Sequence, residues 1–205
     1  PLMDRWIISE LNTLIQEVDA ALEDFDSQTA GRALARFIDD LSNWYVRRSR
    51  RRFWDGEAAA LGTLHECLVT LTQLLAPLVP FITEQVWQEL VRPTDSSAAA
   101  SVHLTNWPVA QTSAIDSVLG TQVALTRRIV ELGRATRAES GIKIRQPLGR
   151  ALIAASGWST LPEQMREQIA DELNVQTLED IASADGDLVN ISVKANFKSL
   201  GAKFG

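Results

Sequence analysis

Apolar residues return at alternating steps of four and three along the N-terminal half of this chain, and that rhythm admits little besides packed amphipathic helices. Residues 4–25 carry Ile7, Leu11, Leu14, Val18, Leu22 and Phe25 as one stripe, with Asp4 placed to cap the helix start. Asp26-Ser27-Gln28 offers a break and a new cap, and residues 27–52 continue with Ala30, Leu34, Phe37, Leu41 and Trp44, with Tyr45 as a further candidate for the stripe. A third stripe runs over 57–76 through Leu61, Leu64, Leu68, Leu71 and Leu75. Pro77 and Pro80 stop it, because each proline removes a donor and clashes with the preceding turn. Pro80 suits the first turn of a fourth helix carrying Phe81, Ile82, Val86, Trp87 and Leu90. A polar stretch over 92–110 precedes a fifth helix, about 112–139, with Arg127, Arg134 and Arg137 expected on its exposed side.

Gly141 ends the helical texture. Beyond it Ala151 to Ala155, Asn174 to Leu178 and Leu188 to Val193 read as short strands, with a helix over 160–172. The expected fold is mainly α, an antiparallel helical bundle over 1–140 followed by a small α+β module over 141–205. The longest apolar run, Leu74 to Ile82, contains two prolines and is far short of the ~20 residues that span a bilayer. No signal or transit peptide is visible, and the abrupt start and glycine-rich end suggest a segment of something longer.

Charge is segregated along the chain. The net charge is −6, yet five of the six residues from Arg47 to Arg52 are arginine, and no acid falls between Asn43 and Trp54. A few cations at a helix C-terminus gain from the dipole, but five repel one another, so helix ending alone does not account for the run. Arg47, Arg48, Arg50, Arg51 and Arg52 beside Trp54 form guanidinium groups next to an aromatic plane, which suits a flexible polyanion with exposed bases, that is, RNA. A second basic zone holds Arg134, Arg137, Lys143 and Arg145, and residues 151–190 carry eight acids against Arg166 alone. The second zone can track an RNA stem or pair with that acidic segment.

Other chemistries find little support. Neither G-x-G-x-x-G nor G-x-x-x-x-G-K-[ST] occurs. His65, Cys67 and His103 do not make a metal set, no nucleophile has a readable base, and Cys67 reads as a buried small side chain. We therefore expect no catalytic and no metal-binding residue here. The six tryptophans default to core except Trp54. Asn190-Ile191-Ser192 matches a glycosylation sequon of a kind that arises often by chance.

Several longer words carry a resemblance. Asp4-Arg5-Trp6-Ile7, Leu75-Ala76-Pro77-Leu78-Val79-Pro80-Phe81 with Glu84 and Trp87, and Ser101-Val102-His103-Leu104 with Trp107-Pro108 are similar to the helical bundle of the class I synthetases for isoleucine, valine, leucine and methionine. The window from Asn43 to Trp54, Lys143-Ile144-Arg145-Gln146-Pro147-Leu148, Glu172-Leu173-Asn174-Val175 and the run from Asn196 to Gly205 resemble the isoleucyl branch, in its longer, eukaryote-like bacterial form. Gln85 departs from the second acid that relatives often carry after Glu84. The resemblance covers essentially the whole chain. It implies an anticodon-binding bundle and the start of a C-terminal module, with the anticodon arm of isoleucine tRNA as partner and a cytoplasmic location. It also implies that ATP and Mg, with Zn as a further candidate, act in a parent catalytic domain, since His-x-Gly-His and Lys-Met-Ser-Lys-Ser are absent here. Neither a membrane nor DNA is an expected partner. The alternatives are the same domain of a valyl or leucyl enzyme, a helical module that docks on protein, and an enzyme with an unrecognised site.

Overall fold

A computed structural model describes residues 1–183, and its contacts divide the chain into two compact units, Pro1–Val123 and Ala124–Gly205. In the first unit, α1 (Leu2–Glu23) and α2 (Ser27–Asp39) are joined by a short turn in which Asp26 caps α2, accepting from the Thr29 N–H at 2.9 Å. Glu17 of α1 pairs with Arg36 of α2, and Asp4, earlier in α1, pairs with Arg52, later along the returning chain, so the two run antiparallel. Phe25, expected to close the α1 stripe, instead sits in the turn with φ 58° and is exposed, because the helix ends before its side chain can face the core. Asp4 does not cap α1 either; it lies within the first turn and its carboxylate is used elsewhere.

The expected second helix is one rod of three parts. A π-helical segment, Asp40–Val46, follows α2, and α3 (Arg47–Trp54) follows that. Leu41, Trp44, Tyr45 and Ser49 are buried, so the inward stripe continues through the wider π turns. α4 (Ala58–Leu75) packs on α1 and α5 (Pro80–Leu90), and it buries Ala60, Cys67, Leu71, Thr72 and Leu74. The leucine stripe read from sequence is rotated away from that face, leaving Leu61 exposed and Leu64, Leu68 and Leu75 half-buried. Among the described residues α4 alone has the length and apolar composition of a membrane span, although that buried face belongs to the bundle. Pro80 occupies the first turn of α5 as expected, but Phe81 is 91 % exposed and Ile82 is exposed, while Thr83 and Trp87 face inward.

The polar stretch after α5 is tied down rather than loose. Trp87 Nε1 donates to the Ala99 carbonyl at 2.9 Å, and Glu84 accepts from Ser101 Oγ at 2.7 Å and the Val102 N–H at 3.1 Å. Ala76, Trp87, Val91 and Val102 form a small core beneath it. Gln88 Nε2 also donates to Glu84, at 2.9 Å, and the bonds from Ser101 and then Gln88 hold the Glu84 carboxyl below its usual range. Next, the N-terminal part of α6 (Ser117–Glu139) is held to α1, where Asp116 pairs with Arg5 at 3.1 Å and the Asp116 N–H donates to Ser9 Oγ at 2.8 Å.

The second unit takes the rest of α6, so the division falls inside that helix rather than at the 140/141 junction expected from Gly141. β1 (Leu148–Ile153) and β2 (Val175–Asp180) pair in parallel, from Leu148 opposite Val175 to Ile153 opposite Asp180, with α7 (Glu163–Leu173) as the crossover. Ile129, Val130, Ile153, Trp158, Leu161, Met165, Ile169 and Leu173 are buried. Asn174, left-handed at φ 50°, ends α7. The strand expected over Leu188 to Val193 and the sequon at Asn190 lie outside the described residues.

Candidate nucleic-acid interface

The arginine run sits on α3, and its helical spacing sorts it. Residues 50, 51 and 54 fall at relative steps of one and four, so Arg50, Arg51 and Trp54 emerge on one outward face. Trp54 is 82 % exposed, the only tryptophan outside the core or its margin, as the sequence led us to expect. The Arg51 side chain is 94 % exposed and pairs loosely with Asp55 one turn on, at 3.8 Å. Arg50 is exposed. Arg47 and Arg48 are half-buried, and their guanidinium carbons lie 6.0 and 5.3 Å from the centroid of the Trp44 ring. That stacking lets two cations sit at the edge of the core on an aromatic face.

Arg52 behaves differently. Its side chain is 21 % exposed and makes four hydrogen bonds within the protein. Nη1 and Nη2 reach Asp4 Oδ1 and Oδ2 at 2.5 and 2.7 Å, and Nε and Nη2 reach Glu57 Oε2 and Oε1 at 2.8 and 2.7 Å. Tyr45 Oη also donates to Asp4, at 3.0 Å. Two carboxylates of the protein itself grip this guanidinium, so a contact between Arg52 and RNA would have to break or share those pairs. Burial alone would raise the Asp4 carboxyl, but the bonds from Arg52 and Tyr45 outweigh it and hold Asp4 below the ordinary range. Glu57 is lowered by the bond from Arg52, and the Arg52 pair in turn raises the guanidinium. Burial, and then the neighbouring Asp4, raise the Tyr45 phenol.

The local chain path makes this grip possible. Gly56 has φ 67°, the Glu57 N–H donates to the Arg52 carbonyl at 2.9 Å, and the Gly56 N–H donates to the Phe53 carbonyl at 3.1 Å. These two bonds and the left-handed glycine form a Schellman motif, which satisfies the last carbonyls of α3 and turns Glu57 back over Arg52. Asp4, Tyr45 and Glu57 were missed as parts of the site. Gly56 followed by an acid, just past the arginine run, was the available local signal; the pairing of Asp4 with Arg52 spans 48 positions and has no local signal.

The second basic zone divides in the same way. Arg137, expected on the exposed side of α6, is only 6 % exposed; its Nη2 donates to the carbonyls of Lys143, Ile144 and Gln146. It ties down the turn after α6. Arg134 pairs with Glu172 of α7, the intramolecular use that the acidic segment suggested. Lys143 and Arg145 are exposed.

Comparison with known proteins follows the same lines. The family model described as the anticodon-binding domain of tRNA ligase matches residues 4–153. The whole chain is 58 % identical to part of the isoleucine–tRNA ligase of Streptomyces avermitilis and 61 % identical to part of that of Thermobifida fusca, covering 20 % of each. It is 41 % identical to part of the Thermus thermophilus isoleucine–tRNA ligase, again over the whole chain and 20 % of the relative. The chain thus spans about a fifth of the length of these relatives.

Proposed function

The chain belongs to the anticodon-binding domain family of tRNA ligases, and on that premise we propose that it is the tRNA-recognition segment of an isoleucine–tRNA ligase. The observation that carries this reading is the outward face of α3, where Arg50, Arg51 and Trp54 stand together in solvent. Loop nucleotides can be unstacked, so their bases can lie on an indole while guanidinium groups neutralise the adjoining phosphates. The partner is the anticodon arm of isoleucine tRNA. Arg47 and Arg48, fixed on Trp44, extend the positive surface, and Lys143 and Arg145 add a second basic surface for the stem.

Attachment of isoleucine to tRNA with ATP and Mg is the work of the parent protein, on a catalytic domain outside these residues, and we infer a cytoplasmic site of action because tRNA is charged there. Among the described residues, no three His, Cys, Asp or Glu side chains come together in a set that could hold a metal ion. Identity across the whole chain to isoleucine enzymes favours that amino acid over valine or leucine.

The test is fluorescence anisotropy with tRNA transcripts. Replacing Arg50 and Arg51 with alanine should flatten the log–log salt dependence by ~0.7 for each lost phosphate contact. An unchanged slope removes them from the interface. Swapping the isoleucine anticodon for that of valine on one transcript should weaken binding by the intact chain. Equal affinity for both would favour a protein-docking module instead.

A further inference from the structure

We propose that the grip of Asp4 and Glu57 on Arg52 is a positioning device for anticodon discrimination, fixing the rotation of α3 so that Trp54, Arg50 and Arg51 meet the anticodon loop in one orientation. The inference rests on the reading of the outward α3 face as the tRNA-binding face.

Three observations carry it beyond helix stability. First, the end of α3 is already closed by backbone bonds, from Glu57 to the Arg52 carbonyl and from Gly56 to the Phe53 carbonyl. The side-chain fork is not needed to stop the helix. Second, a guanidinium held through Nε, Nη1 and Nη2 is fixed in direction as well as place, whereas an apolar pair of similar volume often stabilises a fold equally well without fixing any direction. Third, the two acids come from different elements, Asp4 from the first turn of α1 and Glu57 from the turn into α4. The fork therefore ties α3 at once to the helix antiparallel to it and to the one that follows. Arg50 and Arg51 immediately precede the clamped residue and Trp54 comes two places after it, so a small rotation of Arg52 displaces all three side chains. A recognition side chain in solvent has no packing of its own to orient it, and a displacement of about 1 Å in such groups can cost orders of magnitude in function.

Charge and positioning predict opposite signs for one substitution, which makes the idea testable. Glu57 is the more exposed of the two acids, so Glu57→Gln should leave the fold intact while loosening the fork. By charge alone, removing an acid beside a basic face tightens binding of any polyanion. If Glu57 positions the face, Glu57→Gln instead weakens binding of a transcript with the isoleucine anticodon about tenfold. Binding of the same transcript with a swapped anticodon is unchanged or slightly tighter. Arg52→Lys keeps the charge but loses the fork, and should lose the same discrimination. Both variants are measured by anisotropy on the whole chain, with circular dichroism as the check on folding. Equal tightening of both transcripts by Glu57→Gln would mean that the acid only tunes the field, and unchanged discrimination in both variants would mean that the fork serves stability alone; either overturns the proposal. If the wild-type chain itself binds both transcripts equally, the tRNA reading fails first, and the fork proposal falls with it.

Discussion

Replacing Asp4 with alanine should cost this protein more stability than any other single change near the arginine run. The carboxylate accepts from Arg52 Nη1 at 2.5 Å, Arg52 Nη2 at 2.7 Å and Tyr45 Oη at 3.0 Å, and it is largely buried. Breaking a buried ion pair by removing one partner costs about 3–5 kcal/mol, because the remaining charge is left without its counter-ion in a poorly hydrated site. Here Arg52 keeps Glu57, and Tyr45 keeps a longer bond to the Ala60 carbonyl at 3.3 Å. The expected loss is therefore at the low end, about 3 kcal/mol. Urea denaturation at neutral pH, followed by far-ultraviolet circular dichroism, measures it. A double-mutant cycle with Arg52→Ala should return a coupling of about 2 kcal/mol. The pH dependence has a fixed sign. The folded-state carboxyl of Asp4 titrates below its unfolded value of about 3.9, so its contribution is complete above that value and is lost as pH falls through the lower, folded one. The gap between wild type and Asp4→Ala should be flat from pH 5 to 8 and shrink below about pH 4. A loss under about 1 kcal/mol, or a gap that does not change on acidification, would refute the claim that the pair is buried and charge-assisted.

Other outcomes follow from the same structure. Trp54→Ala should weaken tRNA binding by about 1–3 kcal/mol without lowering the urea midpoint, since the indole is exposed in the free protein; normal affinity would exclude base stacking. Gly133→Ala sets a helix-propensity gain of about 1 kcal/mol against overpacking of about 1–3 kcal/mol. The new methyl would stand 2.6 and 2.7 Å from the two Leu173 methyl groups, while a neighbouring apolar cavity of about 320 Å³ gives Leu173 some room. We expect a net loss near 1 kcal/mol, and a smaller cost for Leu173→Ala in that background than in wild type. Cys67, whose thiol burial pushes up to about 12, should resist a thiol reagent at pH 8 in the folded chain and react once urea unfolds it. Rapid labelling of the native protein would contradict its buried placement.

Much of this molecule is legible in its sequence, and the failures have physical causes. Periodicity gave the helices of the bundle, and Asp26, Pro77 and Pro80 gave their punctuation, because capping and proline geometry act over a few residues. The composition of the arginine run and the isolation of Trp54 from any apolar stripe pointed to the outward face of α3. What periodicity cannot supply is which of two apolar faces finds a neighbour. On α4 the buried face runs through Ala60, Cys67, Leu71 and Leu74 rather than along the full leucine stripe, and on α5 Phe81 and Ile82 point away from the core.

The sequence by itself determined the two textures of the chain, the segregation of its charge and the place of the candidate site at a helix end, since all three depend on residue type and local spacing. Only the tertiary structure decided which arginines remain available there. Arg52 and Arg50 are alike as residues and differ by two positions, yet the first meets a carboxylate from the first turn of α1, 48 positions away, and the second does not. That distinction depends on where folding brings Asp4, and Coulomb attraction between residues far apart in sequence leaves no local trace.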